Sequence, residues 1–192
     1  TVPTDSVDAS RPTTTGQPEM HPLESIGRLL AEDVCIMTPH PCGAADEGVN
    51  GEVEYRLTAA MLCAPSRWSL REKLGLPVRD IHQPVAGYET IAAPTDRFFN
   101  KLPVGDIMER TNWTVLDSPV FFQPGSHTAI GSGPHEAKAY GNSADVLAKR
   151  WLRLERQTLR KLPEIGAVIF TILTTNTRLG DLAAEQPEVA KQ

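Results

Sequence analysis

The sequence predicts an α+β domain, an antiparallel sheet with helices inserted between its second and third strands. Three observations predict it. Residues 53–63 alternate apolar and polar side chains with period two. Residues 69–102 then carry helical patterns broken by Gly75 and Pro77. Finally, WLRLERQTLR, a Pro163-Glu164-Ile165-Gly166 turn and AVIFTILTT return the chain to strand. Strands, then helices, then strands is an α+β order rather than a parallel α/β one.

Residues 1–21 are rich in Pro, Thr, Ser, Asp and Gly and lack periodicity, which predicts a flexible tail. Leu23, Ile26, Leu29 and Leu30 recur at helical spacing after Pro22 and predict the first helix. Asp33–Met37 reads as a short strand, and residues 38–52, with three Gly and two Pro, as a loop. In the next strand Val53, Tyr55, Leu57, Ala59, Met61 and Cys63 share one face, and Pro65 ends it. Ser69 and Glu72 form a capping-box pattern for the helix SLREKLG. A second helix fits Pro94–Leu102, with Phe98 and Leu102 on one face. Residues 107–115 read as a strand, 123–143 as a surface loop and 144–149 as a short helix. The run AVIFTILTT suggests a central strand covered on both faces. The domain is expected over residues 22–180, with 181–192 as a frayed tail.

Composition narrows the function classes. The 192 residues are 40% hydrophobic and 22% charged, which supports a core. A net charge of −5 argues against nucleic acid as a partner, because phosphate contacts need clustered Lys and Arg. No apolar run approaches the roughly 18 residues that span a bilayer, so no membrane partner is expected. The opening residues lack a secretory pattern. Cys35, Cys42 and Cys63 form no C-x-x-C pair and read as buried spectator thiols in a reducing, cytoplasmic compartment.

Few residues stand out for chemistry. His21 and His40 precede prolines and His127 and His135 fall in the long loop, where histidines are mostly solvated. His82 lies between two predicted helices among apolar neighbours, with Pro84 fixing the backbone; such a histidine is either a satisfied structural residue or a metal ligand, haem iron included. The run Lys149–Lys161 holds six Lys and Arg. Within it Arg156 and Arg160 share a face with Leu152 and Leu154, and either could meet a carboxylate or propionate, as could Arg67 beside Trp68. Glu32-Asp33 sits where a helix passes into an apolar strand, as a solvated pair or a rim carboxylate for a cationic amine.

The blocks LLAEDVCIM, APSRWSLREKLGLPVRDIHQPVAGY, DRFFNKLP, ERTNWTV and LRLERQTLRKLPEIGAVIFTI cover most of residues 24–172. In order and spacing they resemble the alpha subunit of haem-dependent oxidative N-demethylase. The resemblance implies a PAS-like fold that holds haem b. It also implies reductive activation of O₂ and demethylation of a small secondary amine, such as dimethylamine, to formaldehyde. Electrons would come from NADPH through FMN and an iron–sulfur cluster on reductase or ferredoxin-type partner subunits. Through the I-H-x-P-V block it makes His82 the axial iron ligand. Arg67, Arg156 and Arg160 become candidates for the haem propionates. Asp33 and Glu155 become candidates for holding the amine or relaying protons, and Asn112 and Trp113 for lining the distal pocket. The chain reads as a shortened member, so a non-catalytic PAS-like module that binds haem or another small ligand for sensing stays open as the alternative.

Overall fold

The computed structural model describes residues 20–41, 53–83, 87–125 and 143–188. Within these, five antiparallel strands form one sheet in the order β2-β1-β5-β4-β3. They are β1 (Asp33–Pro41), β2 (Val53–Met61), β3 (Ile107–Leu116), β4 (Trp151–Lys161) and β5 (Val168–Arg178). Helices α1 (Pro22–Gly27), α2 (Leu70–Lys73), α3 (Val78–Ile81), α4 (Ala92–Lys101), α5 (Ser143–Lys149) and α6 (Leu179–Glu185) complete the fold. As predicted, the inserted helices α2–α4 lie between the second and third strands, and α6 spans the position at which the expected domain ends. Among the described residues, no helix is long and apolar enough to cross a membrane.

Helices α2–α4 pack on one face of the sheet. Cys35 and Met37 of β1, Tyr55 and Leu57 of β2, Leu159 and Val168 meet Val78, Phe99 and Leu102 there in one buried cluster. In α4 the buried aromatic is Phe99, tilted against Tyr55 with ring centroids 5.4 Å apart, while Phe98, the expected core residue, is exposed.

Strand β2 departs from strict alternation. Ile36 faces Ala59 but Met37 faces Leu57, so Thr58 is an extra residue, and its hydroxyl donates to the Ile36 carbonyl at 3.3 Å. This bulge turns the end of the strand over. Ala60 therefore packs on the core, and Met61 and Cys63 leave it. Cys63 is exposed, against the expectation of a buried thiol, with its Sγ 3.2 Å from Met61 Sδ. Cys35 is buried, and burial beside Asp33 pushes its thiol up to about 12.

Other expectations are corrected. Strand β1 continues through Pro41, four residues into the expected loop, because it pairs with β2 as far as Val53. His40 accordingly lies in a strand, 3.0 Å from Thr38 Oγ1. His21 is the N-cap of α1 and accepts from Leu23 N–H. Ser69 is an N-cap as predicted but makes no side-chain cap bond. Helix α1 stops at Gly27, and Leu29 beyond it is exposed. Strand β5 is central, yet most of its residues are only half-buried. Residues 1–19 of the tail expected over 1–21, the loop residues 42–52 and 126–142, and with them Cys42, His127 and His135, lie outside the described residues, as do Pro84 and Val85.

Candidate functional site

Across the helix-bearing face, the strand register sorts side chains into rows. Cys35, Phe170, Leu159 and Met108 form one row, and Asp33, Ile172, Gln157 and Arg110 the next. Thr174, Glu155 and Asn112 follow, then Asn176, Arg153 and Thr114. The face thus passes from an apolar end under α4 to a polar end. Side chains alternate across a strand, so Arg156, Arg160 and Trp113 fall on the other face. There Arg156 donates to Glu109 at 2.6 Å, and Arg160 and Trp113 are exposed. The structure therefore gathers Asp33, Glu155 and Asn112 and leaves Arg156, Arg160 and Trp113 behind the sheet.

Arg153 organises the polar end. It is fully buried, and its Nε donates to Glu155 Oε1 at 3.1 Å. Its other nitrogens donate to Thr174 Oγ1 at 3.3 Å, to the Phe121 carbonyl at 3.3 Å and to the Ala64 carbonyl. One guanidinium so pins the chain after β2 and the chain after β3 to the sheet. Glu155 Oε2 in turn accepts from Gln157 Nε2 at 3.1 Å and from Asn112 Nδ2 at 3.4 Å. Asp33 accepts from the backbone N–H groups of Cys63 at 2.6 Å and Ala64 at 3.1 Å. Burial raises the Asp33 carboxyl above its ordinary value, against the lowering pull of those amides and of Arg153.

Arg67 follows this pinned segment in the left-handed region, at φ 61°, a conformation unusual for a residue with a Cβ. Its N–H donates to the Gln123 carbonyl at 2.9 Å, while its Nε is buried with no hydrogen-bond partner among the described residues. A buried guanidinium nitrogen without an acceptor suits an anionic group arriving from outside the chain.

His82 sits at the C-cap of α3. Its Nδ1 is 2.8 Å from the Val78 carbonyl, which makes Nδ1 the protonated nitrogen and leaves Nε2 with its lone pair. Lys73 Nζ donates to the neighbouring Ile81 carbonyl at 2.7 Å and holds the same turn. Tyr88 stacks on the imidazole with centroids 4.7 Å apart and planes 20° apart. Burial lowers the His82 pKa, the positive charges of Lys73 and Arg110 lower it further, and the Val78 carbonyl opposes them. The imidazole is therefore neutral at pH 7, the form that binds a metal.

Among the described residues no three His, Cys, Asp or Glu side chains group as a metal site. Haem needs no such cluster, because the porphyrin supplies four nitrogens and the protein an axial ligand. A neutral histidine oriented by a backbone carbonyl, with no hydrogen bond at Nε2 among the described residues, and the Arg67 Nε buried without an acceptor among them, fit that requirement.

The structure places Asp33, Glu155 and Asn112, which the sequence singled out, on one face beside Arg153 and Arg110, and sets His82 between Lys73 and Tyr88; the sequence reading singled out none of Arg153, Arg110, Lys73 and Tyr88. Strict alternation in β4 does place Arg153 with Gln157 and Leu159, which was the available signal. Arg110 and Lys73 become visible only through pairing and folding back. A family described as haem-dependent oxidative N-demethylase, alpha subunit-like, has a model that matches residues 3–192. With the match running over nearly its whole length, the chain belongs to the haem-dependent oxidative N-demethylase, alpha subunit-like family.

Proposed function

We propose that this chain is the haem-binding subunit of an oxidative N-demethylase with a PAS-like fold. Its substrate would be a small secondary amine of the dimethylamine kind, and its electrons would come from a reductase partner carrying FMN and an iron–sulfur cluster. The observation that carries the proposal is His82: neutral, fixed through Nδ1 on Val78, and without a hydrogen bond at Nε2 among the described residues. Haem bound there would supply reductive activation of O₂ for oxidation of the amine's methyl group.

The chain's own residues have separable tasks in this reading. His82 would hold the haem iron through Nε2, and the Val78 carbonyl, by accepting a hydrogen bond from Nδ1–H, would raise the basicity of the ring. Tyr88 restrains the ring plane. Arg67, with its unpaired Nε, binds a propionate. Arg110 and Asn112 are exposed on the helix-bearing face beside buried Gln157 and half-buried Glu155, offering a polar wall for a small cationic amine. Glu155 holds a proton acceptor at that wall, kept in place by Arg153. Arg156, Arg160 and Trp113 lie behind the sheet and take no part at the iron.

The test is the ultraviolet–visible spectrum of the protein after haem reconstitution, beside His82→Ala. The expected result is a Soret band that shifts on reduction and is lost or displaced in the variant. A wild-type chain that stays folded yet takes up no haem would overturn the proposal.

A further inference from the structure

The two edges of the sheet are treated differently. The free edge of β2 is closed: Leu57 N–H donates to the Leu76 carbonyl at 3.0 Å, Gly75 N–H to the Leu57 carbonyl at 2.7 Å, and the Asn100 amide brackets Val53 at 3.2 and 2.9 Å. Among the described residues strand β3 has no such cover. It pairs with β4 along all ten of its residues, without a bulge or a proline, and no backbone group among the described residues meets its other side. Eight of its ten residues are exposed, including Trp113 at 66% and Ile107 at 64%. A long, regular, uncovered edge carrying a tryptophan is a pairing template.

We infer that β3 pairs antiparallel with β3 of a second copy of this chain, about a two-fold axis at Thr111, to make one continuous ten-stranded sheet. The strand's own sequence selects both occupant and register. A two-fold axis normal to the sheet keeps each face on its own side, so residues can oppose only residues of the same parity. Centring on Glu109 or Arg110 sets like charges directly opposite, which is unfavourable. Centring on Asn112 sets Glu109 against Val115 and runs Ile107 off the end of the strand. At Thr111 every opposition is compatible: Ile107 meets Val115, Met108 meets Thr114, Arg110 meets Asn112, and Thr111 meets its own copy. Glu109 meets Trp113, whose indole gains the Glu109–Arg156 pair as its neighbour. On the helix-bearing face, each copy's Asn112 then borders the other copy's Arg110.

The experiment uses the full chain. Sedimentation over a concentration series should show a dimer, and Thr111→Lys, which brings two ammonium groups together at the axis, should weaken it at least tenfold. In a Cys42→Ser, Cys63→Ser background, Thr111→Cys should form an intermolecular disulfide under mild oxidation, while Glu109→Cys alone should not. This second measurement reads the register even where the lysine variant folds poorly. A monomer at all concentrations overturns the inference, and one whose β3 amides resist hydrogen exchange assigns the edge to another segment of the chain. A dimer that ignores Thr111→Lys and fails to cross-link at position 111 overturns it as well.

Discussion

Asp33 is the one acceptor among the described residues for two backbone amides, those of Cys63 and Ala64, where the chain leaves β2. Leaving a buried N–H unsatisfied costs about 1–3 kcal/mol. Both amides are only partly buried, so Asp33→Ala should destabilise the fold by roughly 1–3 kcal/mol, read by urea unfolding. Asp33→Asn keeps an acceptor oxygen and sheds the burial penalty of a charge, so it should recover most of that loss. Equal losses in the two variants would show that charge, not acceptance, is what matters. The carboxylate was legible in sequence as one at a helix–strand junction. Its partners were not, because they arrive from a strand whose last residues had been turned by the Thr58 bulge.

At the scale of elements, β4 shows what alternation can and cannot say. The period-two pattern of residues 151–160 correctly predicts a strand, and Pro163–Gly166 correctly predicts the turn into β5. It does not say which face is covered. One face offers Leu152 and Leu154, the other Arg153, Gln157 and Leu159, and hydropathy favours the first. The helices nonetheless cover the second, because Arg153 finds acceptors on two loops that hydropathy cannot see. Removing one partner of a buried ion pair costs about 3–5 kcal/mol. Arg153→Met should approach that loss and free both loops, read as reduced stability together with proteolysis near residues 64 and 121. Arg153→Lys should not restore it, since an ammonium cannot span the same acceptors. Rescue by lysine would reduce Arg153 to a simple counter-charge for Glu155.

For the whole molecule, His82 ties stability to pH. Its pKa is lowered from the ordinary 6.5 in the folded protein, so below that value the unfolded chain binds the proton more readily. The contribution of the neutral ring is complete above pH 6.5 and is lost as pH falls from there through the depressed folded value. The apoprotein should lose stability over that window in denaturant titrations, and His82→Gln should flatten this part of the profile. A wild-type curve without that slope would mean the ring is not held neutral. The strand–helix–strand order was legible because each segment is locally consistent. The covered face, the bulge and the polar network were not, since each depends on residues far apart in the chain.

The strand order has a temporal consequence as well. The middle of the sheet is the β1–β5 seam, where residues 33–37 lie against residues 168–172, so the earliest strand waits for the latest. Until β5 emerges during synthesis, the β1–β2 hairpin has an open inner edge along residues 33–37. Closing so long a loop is slow, and the waiting hairpin is the species most prone to pair wrongly with another nascent chain. Slowing the delivery of residues 151–178 should therefore lower the yield of folded protein even where the stability of the finished sheet is unchanged.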